Sequence, residues 1–271
     1  MDRWKWNNYN EVRYINIPDW AEMGVMTAFT ARSGGFSQDE FYSLNMGLHV
    51  GDDKDRVIRN RELVLKGLNS ALANIVCGEQ VHGTEVAVIN KEDIGKGAYD
   101  FSTALKGIDA MVTNVPHLFL ATFYADCYPL YLFDPSKRVI GIAHSGWKGT
   151  MGRIGAITAQ TMRDKFGTDI EDLLIFIGPG IGKCCFEINA ELASKVQKEF
   201  KQLNNILTED KKGFFWDLEN TNRQVLLQMG IKEDHIITSN LCTSCHINDF
   251  YSYRRDKGQT GRMAAIIGLS Y

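Results

Sequence analysis

YADCYPLYLFDPSKRVIGIAHSGWKGT, residues 124–150, is the stretch whose reading decides the fold. An apolar run from Leu118 to Phe133 meets Asp134-Pro135-Ser136-Lys137, and a second apolar run continues from Val139 to Ala143. Asp and Pro at the first two positions of a four-residue turn suit type I, because Pro presets φ and the Asp side chain caps the turn locally. The segment therefore reads as a β-hairpin. With a two-residue loop at Pro135-Ser136, Cys127 falls opposite His144. Directly opposed side chains share a face, with Cβ atoms about 4.5–5.5 Å apart, a separation that suits two ligands of one metal ion. A three-residue loop with a bulge would instead send the pair to opposite faces. The other reading is a buried thiol and a satisfied core histidine in a hairpin covered on both sides.

Outward from the hairpin, the composition is that of an ordinary globular protein, with 44% hydrophobic and 23% charged residues in 271. A formal charge of −3 without a basic block argues against nucleic acid or a membrane surface as the main partner. The first residues lack an apolar signal core, and no run approaches the roughly 18 apolar residues of a membrane span. A cytoplasmic location is expected. Six cysteines in such a chain suggest thiols or ligands rather than a disulfide framework.

Strands are expected near Val12–Ile17, Gly24–Ala31, Ile75–Gly78, Thr84–Ile89, Gly107–Thr113, Leu173–Ile177, Ile236-Ile237 and Met263–Leu269. Helices are expected from Lys54 to Leu68 behind a capping Asp53 or Asp55, from Thr150 to Phe166 ending at Gly167, from Asn189 to Leu207, and from Asp217 to Gly230. Strands and helices intermix without regular alternation, and no linker or repeat divides the chain. The fold class is α+β with mixed β-sheets in a single domain over residues 1–271.

Two glycine-rich turns fail the nucleotide fingerprints. Gly178-Pro179-Gly180-Ile181-Gly182-Lys183 departs from G-x-G-x-x-G at Lys183 and lacks the P-loop spacing. Ser145-Gly146-Trp147-Lys148-Gly149-Thr150 before a helix is a plausible anion site, not a Walker loop. His82, in Glu79-Gln80-Val81-His82-Gly83, stands between two strands and is open to chemistry or simply to solvent. Cys242-Thr243-Ser244-Cys245-His246 matches C-x-x-C-H, but covalent haem belongs to exported proteins. Cys184 and Cys185 are adjacent rather than spaced by two, so no partner pair for a structural Cys₄ zinc site is expected.

The segments RSGGFS, SLNMGLHVGD, QVHGTEV, DAMVTN, ADCYPLYLFD, AHSGWKGT, IGPGIGKCCFEI and FYSYRRDKGQTGRMA occur in this order. The chain resembles the YfiH-like family, labelled both multicopper polyphenol oxidase (laccase-like) and purine nucleoside phosphorylase with adenosine deaminase activity. The resemblance implies a four-layer α/β/β/α arrangement and a zinc ion held by His82, Cys127 and His144, with copper as a possible occupant. It also implies purine nucleosides (adenosine, inosine, guanosine, methylthioadenosine) and phosphate as substrates. Arg61, Lys148, Arg255 and Arg262 are the candidates for phosphate or ribose contacts. Asp126 is the candidate general acid or base, with Asn45 and Ser145 orienting substrate hydroxyls. A cysteine-type hydrolase editing peptidoglycan precursors, with Cys127 as nucleophile and His144 as base, is the alternative. The copper-oxidase label fits less well: the chain has six histidines and no His-x-His.

Overall fold

The apolar run from Leu118 to Phe133 is two strands rather than one. Phe119–Tyr124 and Tyr128–Asp134 lie in different six-stranded sheets, and the chain steps between them through Ala125-Asp126-Cys127. Both strands are buried throughout, and a strand covered on both faces reads as a continuous apolar run. The step therefore leaves no break in the hydrophobic pattern. The computed structural model describes residues 3–270.

The first sheet runs in the order Lys5–Tyr9, Val12–Asn16, Val25–Thr30, Met263–Leu269, Phe119–Tyr124, Ile75–Cys77. The second runs Ile236–Thr238, Leu174–Ile177, Tyr128–Asp134, Val139–Ser145, Ala110–Thr113, Val86–Val88. Each sheet mixes antiparallel and parallel pairs. Their facing sides form one core, in which Phe29, Leu120 and Ile267 of the first sheet join Tyr131, Ile140 and Ile142 of the second. Helix Lys54–Gly67 covers the far side of the first sheet, with Val64 and Leu65 against Ala28, Phe119 and Ile266. Helices Ile154–Phe166, Ala190–Glu199 and Leu218–Gln228 cover the far side of the second, where Met162, Val196 and Leu226 meet Leu130, Leu132 and Ile175. The expected α/β/β/α layering is present.

The hairpin register differs from the expected one by two residues. Tyr128 pairs with Ser145 and Asp134 with Val139, so Pro135 to Arg138 form a four-residue loop. Asp134 Oδ1 accepts the amides of Ser136 and Lys137 at 2.9 and 3.0 Å, and Arg138 closes the loop at φ 56°. A shift of two keeps parity, so position 127 still projects to the face of His144, diagonally rather than directly opposite.

Other boundaries moved for local reasons. Lys5–Tyr9 is a strand paired to Val12–Asn16, where an irregular start was expected. The helix begun at Asn189 ends at Glu199, and Leu207–Asp210 pairs with Gly213–Trp216 in a small third sheet. The helical stretch after His144 is broken at Gly152-Arg153 into Trp147–Met151 and Ile154–Phe166. Arg153 takes a left-handed conformation, φ 57°, at that break.

Candidate metal centre and cleft

Three residues distant in sequence meet where the chain changes sheets. The ligand-capable atoms of His82, Cys127 and His144 lie within 4.8 Å of one another. Alternation along Val139–Ser145 sends His144 to the inter-sheet side with Ile140 and Ile142. Cys127 immediately precedes Tyr128–Asp134, after Asp126 turns the chain at φ 91°. His82 occupies the loop after Ile75–Cys77, itself left-handed at φ 60°.

A buried carboxylate organises the group. Asp109, fully buried, accepts the amides of Val81, His82 and Gly83 at 3.1, 3.0 and 2.7 Å. These bonds hold the His82 loop in its unusual backbone conformation. Asp109 Oδ1 also lies 2.8 Å from His144 Nδ1. Burial would raise the Asp109 pKa, but the bonds from His144 and from the Gly83 and Val81 amides outweigh it and hold the group below its ordinary value. With Nδ1 engaged, the other ring nitrogen of His144 is left for the Cys127 sulfur. Carboxylate–imidazole pairing of this kind fixes tautomer and ring direction in metal-binding histidines. Asp109 is missing from the sequence candidates. Its signal was a lone acid at the head of the buried strand Ala110–Thr113.

Burial disfavours the Cys127 thiolate, yet His144 and His82 overcome it and bring the thiol down to about 6. Burial also disfavours a charged His144, yet Cys127 and Asp109 carry it up to about 9. One thiolate and two imidazoles form a donor set that zinc or copper accepts, with a fourth position to spare. Gly146 keeps the space above them: a Cβ there would sit 2.8 Å from Cys127 Sγ and 3.1 Å from His82 Cδ2.

The triad lies in the wall of a cleft of about 530 Å³, within the ~300–1,000 Å³ of small-molecule sites. Phe101, Phe123, Trp147, Phe186 and Tyr253 give it an aromatic lining, and His49, Arg254 and Arg262 give it polar groups. Burial, helped by the charge of Arg262, lowers His49 to about 4, so its ring is neutral at pH 7. Gln80 exchanges two bonds with the backbone of Phe123, at 2.9 and 2.7 Å, and fixes that wall.

The remaining sequence candidates separate by whether they border the cleft. Arg262 does, with Nη1 on the carbonyls of Thr260 and Gly261 at 2.7 and 3.0 Å. Arg61 does not: it is buried, with Nε on Met46 O and Nη1 on the carbonyls of Gly97 and Ala98 at 2.7–2.8 Å. Arg255 is likewise committed to Asp256 and to the carbonyls of Thr243, Ser244 and Phe250. Lys148 is exposed on Trp147–Met151, outside the cleft lining. Arg254, absent from the candidates, is in the lining and lies over the Phe186 ring.

Asn45 is fully buried, bonded to Gly47, Asp52 and the Arg262 amide, and is not in the cleft lining. Ser145 faces the helical layer, because it follows His144 on the alternating strand, and it meets Thr150 and Asn222 at 3.0 and 2.9 Å. Asp126 borders the cleft, but Oδ1 accepts from the Thr243 hydroxyl and Oδ2 from the Arg254 amide, both at 2.7 Å. The expectation that Cys242 and Cys245 lack partner thiols is also corrected: Cys184 and Cys185 stand beside them.

The family described as multi-copper polyphenol oxidoreductase laccase matches residues 26–270. A Bacillus subtilis protein named purine nucleoside phosphorylase YlmD is 38% identical over 261 residues, 94% of each chain. The crystal structure of YlmD from Geobacillus stearothermophilus superposes with a TM-score of 0.92 at 36% identity, covering 100% of both chains. The Bacillus licheniformis hypothetical protein YfiH gives 0.89 at 38% identity, covering 96% of this chain and 100% of that one. The match over residues 26–270 and the near full-length similarity agree: the chain belongs to the YfiH family.

Proposed function

We propose that the chain is a zinc-dependent purine nucleoside phosphorylase with adenosine deaminase as a second activity. The observation that carries this reading is the joining of the His82–Cys127–His144 triad to an aromatic cleft with arginines at its edge. The names of the YlmD relatives support the phosphorylase part.

Phe101, Phe123, Trp147, Phe186 and Tyr253 give the cleft an aromatic surface against which a purine can pack. In phosphorolysis a phosphate oxygen bonds C1′ of the ribose while the bond from C1′ to the base breaks. Arg262 and Arg254 are assigned to the phosphate, because a guanidinium binds such an anion through paired charge-assisted bonds. Neutral His49 is assigned to the sugar or base as a hydrogen-bonding group that adds no charge beside Arg262. Asp126 positions the Arg254 backbone. His82, Cys127 and His144 would hold the zinc, which would supply Lewis acidity, the chemistry that deamination at C6 of adenine needs.

The test offers adenosine, inosine, guanosine and methylthioadenosine to zinc-loaded protein, with and without phosphate. Free base and ribose 1-phosphate (methylthioribose 1-phosphate from methylthioadenosine) are expected only with phosphate, and slow inosine formation from adenosine without it. Release of neither adenine nor inosine overturns the reading.

One observation favours a second reading. Cys127 stands within 4.8 Å of His144, whose Nδ1 lies 2.8 Å from Asp109, the pattern of a cysteine nucleophile beside its oriented base. Hydrolysis of a peptidoglycan precursor by metal-stripped protein, lost on zinc addition, would select it. The oxidase description has less support. Among the described residues two groups can hold an ion, one with two histidines and one with none.

A further inference from the structure

A second set of metal donors lies outside the cleft's triad. The sulfurs of Cys184, Cys185, Cys242 and Cys245 lie within 4.8 Å of one another. Cys245 Sγ is 3.6 Å from Cys184 Sγ and 3.4 Å from Cys185 Sγ. A tetrahedral thiolate site with zinc–sulfur bonds of about 2.3 Å has sulfur–sulfur edges of about 3.8 Å. The observed spacings lie close to that edge and far from the ~2.05 Å of a disulfide.

The backbone brings the two pairs together without help from sequence spacing. Gly180 and Cys242 form a parallel bridge, with the Thr243 amide on Gly180 O at 2.9 Å. Each pair rides on a tight turn: Cys185 and Phe186 amides donate to Gly182 O, and the His246 amide donates to Cys242 O. The Gly182 amide points at Cys242 Sγ, 3.2 Å away, and a charged acceptor makes the stronger partner for such a donor. A Cβ on Gly182 would press within 3.2–3.5 Å of Cys242 and of Cys184 Sγ. Cys184 and Cys245 are exposed, which gives an ion a path from solvent.

We propose that Cys184, Cys185, Cys242 and Cys245 bind one zinc ion in a closed tetrathiolate site. Four sulfur donors leave no coordination position for substrate, so the site is structural. It clasps the 178–186 loop, which supplies Ile181 and Phe186 to the cleft, to the loop whose Thr243 hydroxyl anchors Asp126.

The test titrates chelator-stripped, reduced protein with zinc alone and counts bound equivalents by elemental analysis. The Cys184→Ser/Cys245→Ser double variant is expected to bind one equivalent fewer than wild type. That difference holds whether or not the His82–Cys127–His144 triad retains an ion, so the two sites succeed or fail separately. Peptide-resolved alkylation of the wild type covers the case in which the variant does not fold: zinc should protect all four thiols, and chelation should expose them. Equal zinc content in wild type and variant overturns the proposal. So does native protein whose Cys184 or Cys185 peptides are disulfide-linked to those of Cys242 or Cys245, with the four thiols unprotected by zinc after reduction.

Discussion

The two ligand groups, only a few residues apart through Asp126 and Thr243, are built on opposite plans. His82 comes from a distant loop and Cys127 and His144 from the two arms of one hairpin, and a buried carboxylate aims one of them. The four cysteines come from two turns, half exposed, with sulfur as the only donor. Three protein ligands beside a cleft leave a position for chemistry, whereas four ligands on joined loops leave none. Ligand count and surroundings, not proximity, separate a reacting centre from a clasp.

The comparison breaks first at Cys127. Cys127→Ala is expected to remove the triad's zinc and reduce adenine and inosine formation to background, with the four-cysteine zinc retained. Elemental analysis and product chromatography on the same preparation check this. Activity that survives loss of that zinc would mean the triad is not the reacting centre. Asp109→Asn comes next. It keeps size but weakens the hold on His144 and on the 81–83 loop, and loss of such a partner costs about 10–100-fold in metal affinity. Chelator competition should find that loss at the triad, with the other site unchanged.

The arginines sharpen the contrast between site and scaffold. Arg61→Ala strips three buried carbonyls of their donor, and about 3 kcal/mol of stability should go with it. Arg262→Ala should instead raise the KM for phosphate by about tenfold, the worth of one charge-assisted contact, at less than half that loss of stability. Lys148→Ala, outside the cleft lining, should change phosphorolysis by less than Arg262→Ala. Denaturant curves and phosphate titrations separate the three.

Those residues also show what could be read in advance. The α+β class with mixed sheets followed from apolar patterning and the four layers from the family resemblance, and the Cys127–His144 pairing survived an incorrect loop length because the register error was two, which preserves the face. The step between sheets at Ala125–Cys127 was hidden because both flanking strands are buried on both sides. Charge type could not separate Arg61 and Arg255, spent on groups outside the cleft lining, from Arg262, which borders the cleft while its Nη1 holds the Thr260 and Gly261 carbonyls. That difference is made by where the Met46, Gly97 and Thr243 carbonyls fall in space. Spacing along the chain dismissed the four cysteines, because adjacent residues offer no familiar chelate. The parallel bridge from Gly180 to Cys242 supplies what spacing lacked.

The two groups also differ in their electrostatics. At the triad a buried acid, Asp109, is held charged by its donors. Near the cysteine loops Glu219, at the start of helix Leu218–Gln228, is pushed the other way. Burial, reinforced by the neighbouring Asp217 charge and only partly offset by the Asn240 amide, raises it from 4.5 to about 7. Between those values the folded chain keeps a proton that the unfolded chain has released. Stability therefore falls as pH rises through this window and levels off above about 7. Glu219→Gln removes the titration while keeping a group that can accept the Asn240 amide. It should be nearly neutral at pH 5 and stabilising by about 1–3 kcal/mol at pH 8, a range set below the full shift because the side chain is half-buried. Urea midpoints at the two pH values measure the difference. An equal effect at both would mean that Glu219 titrates normally and that the loops beside the cysteines carry no electrostatic strain.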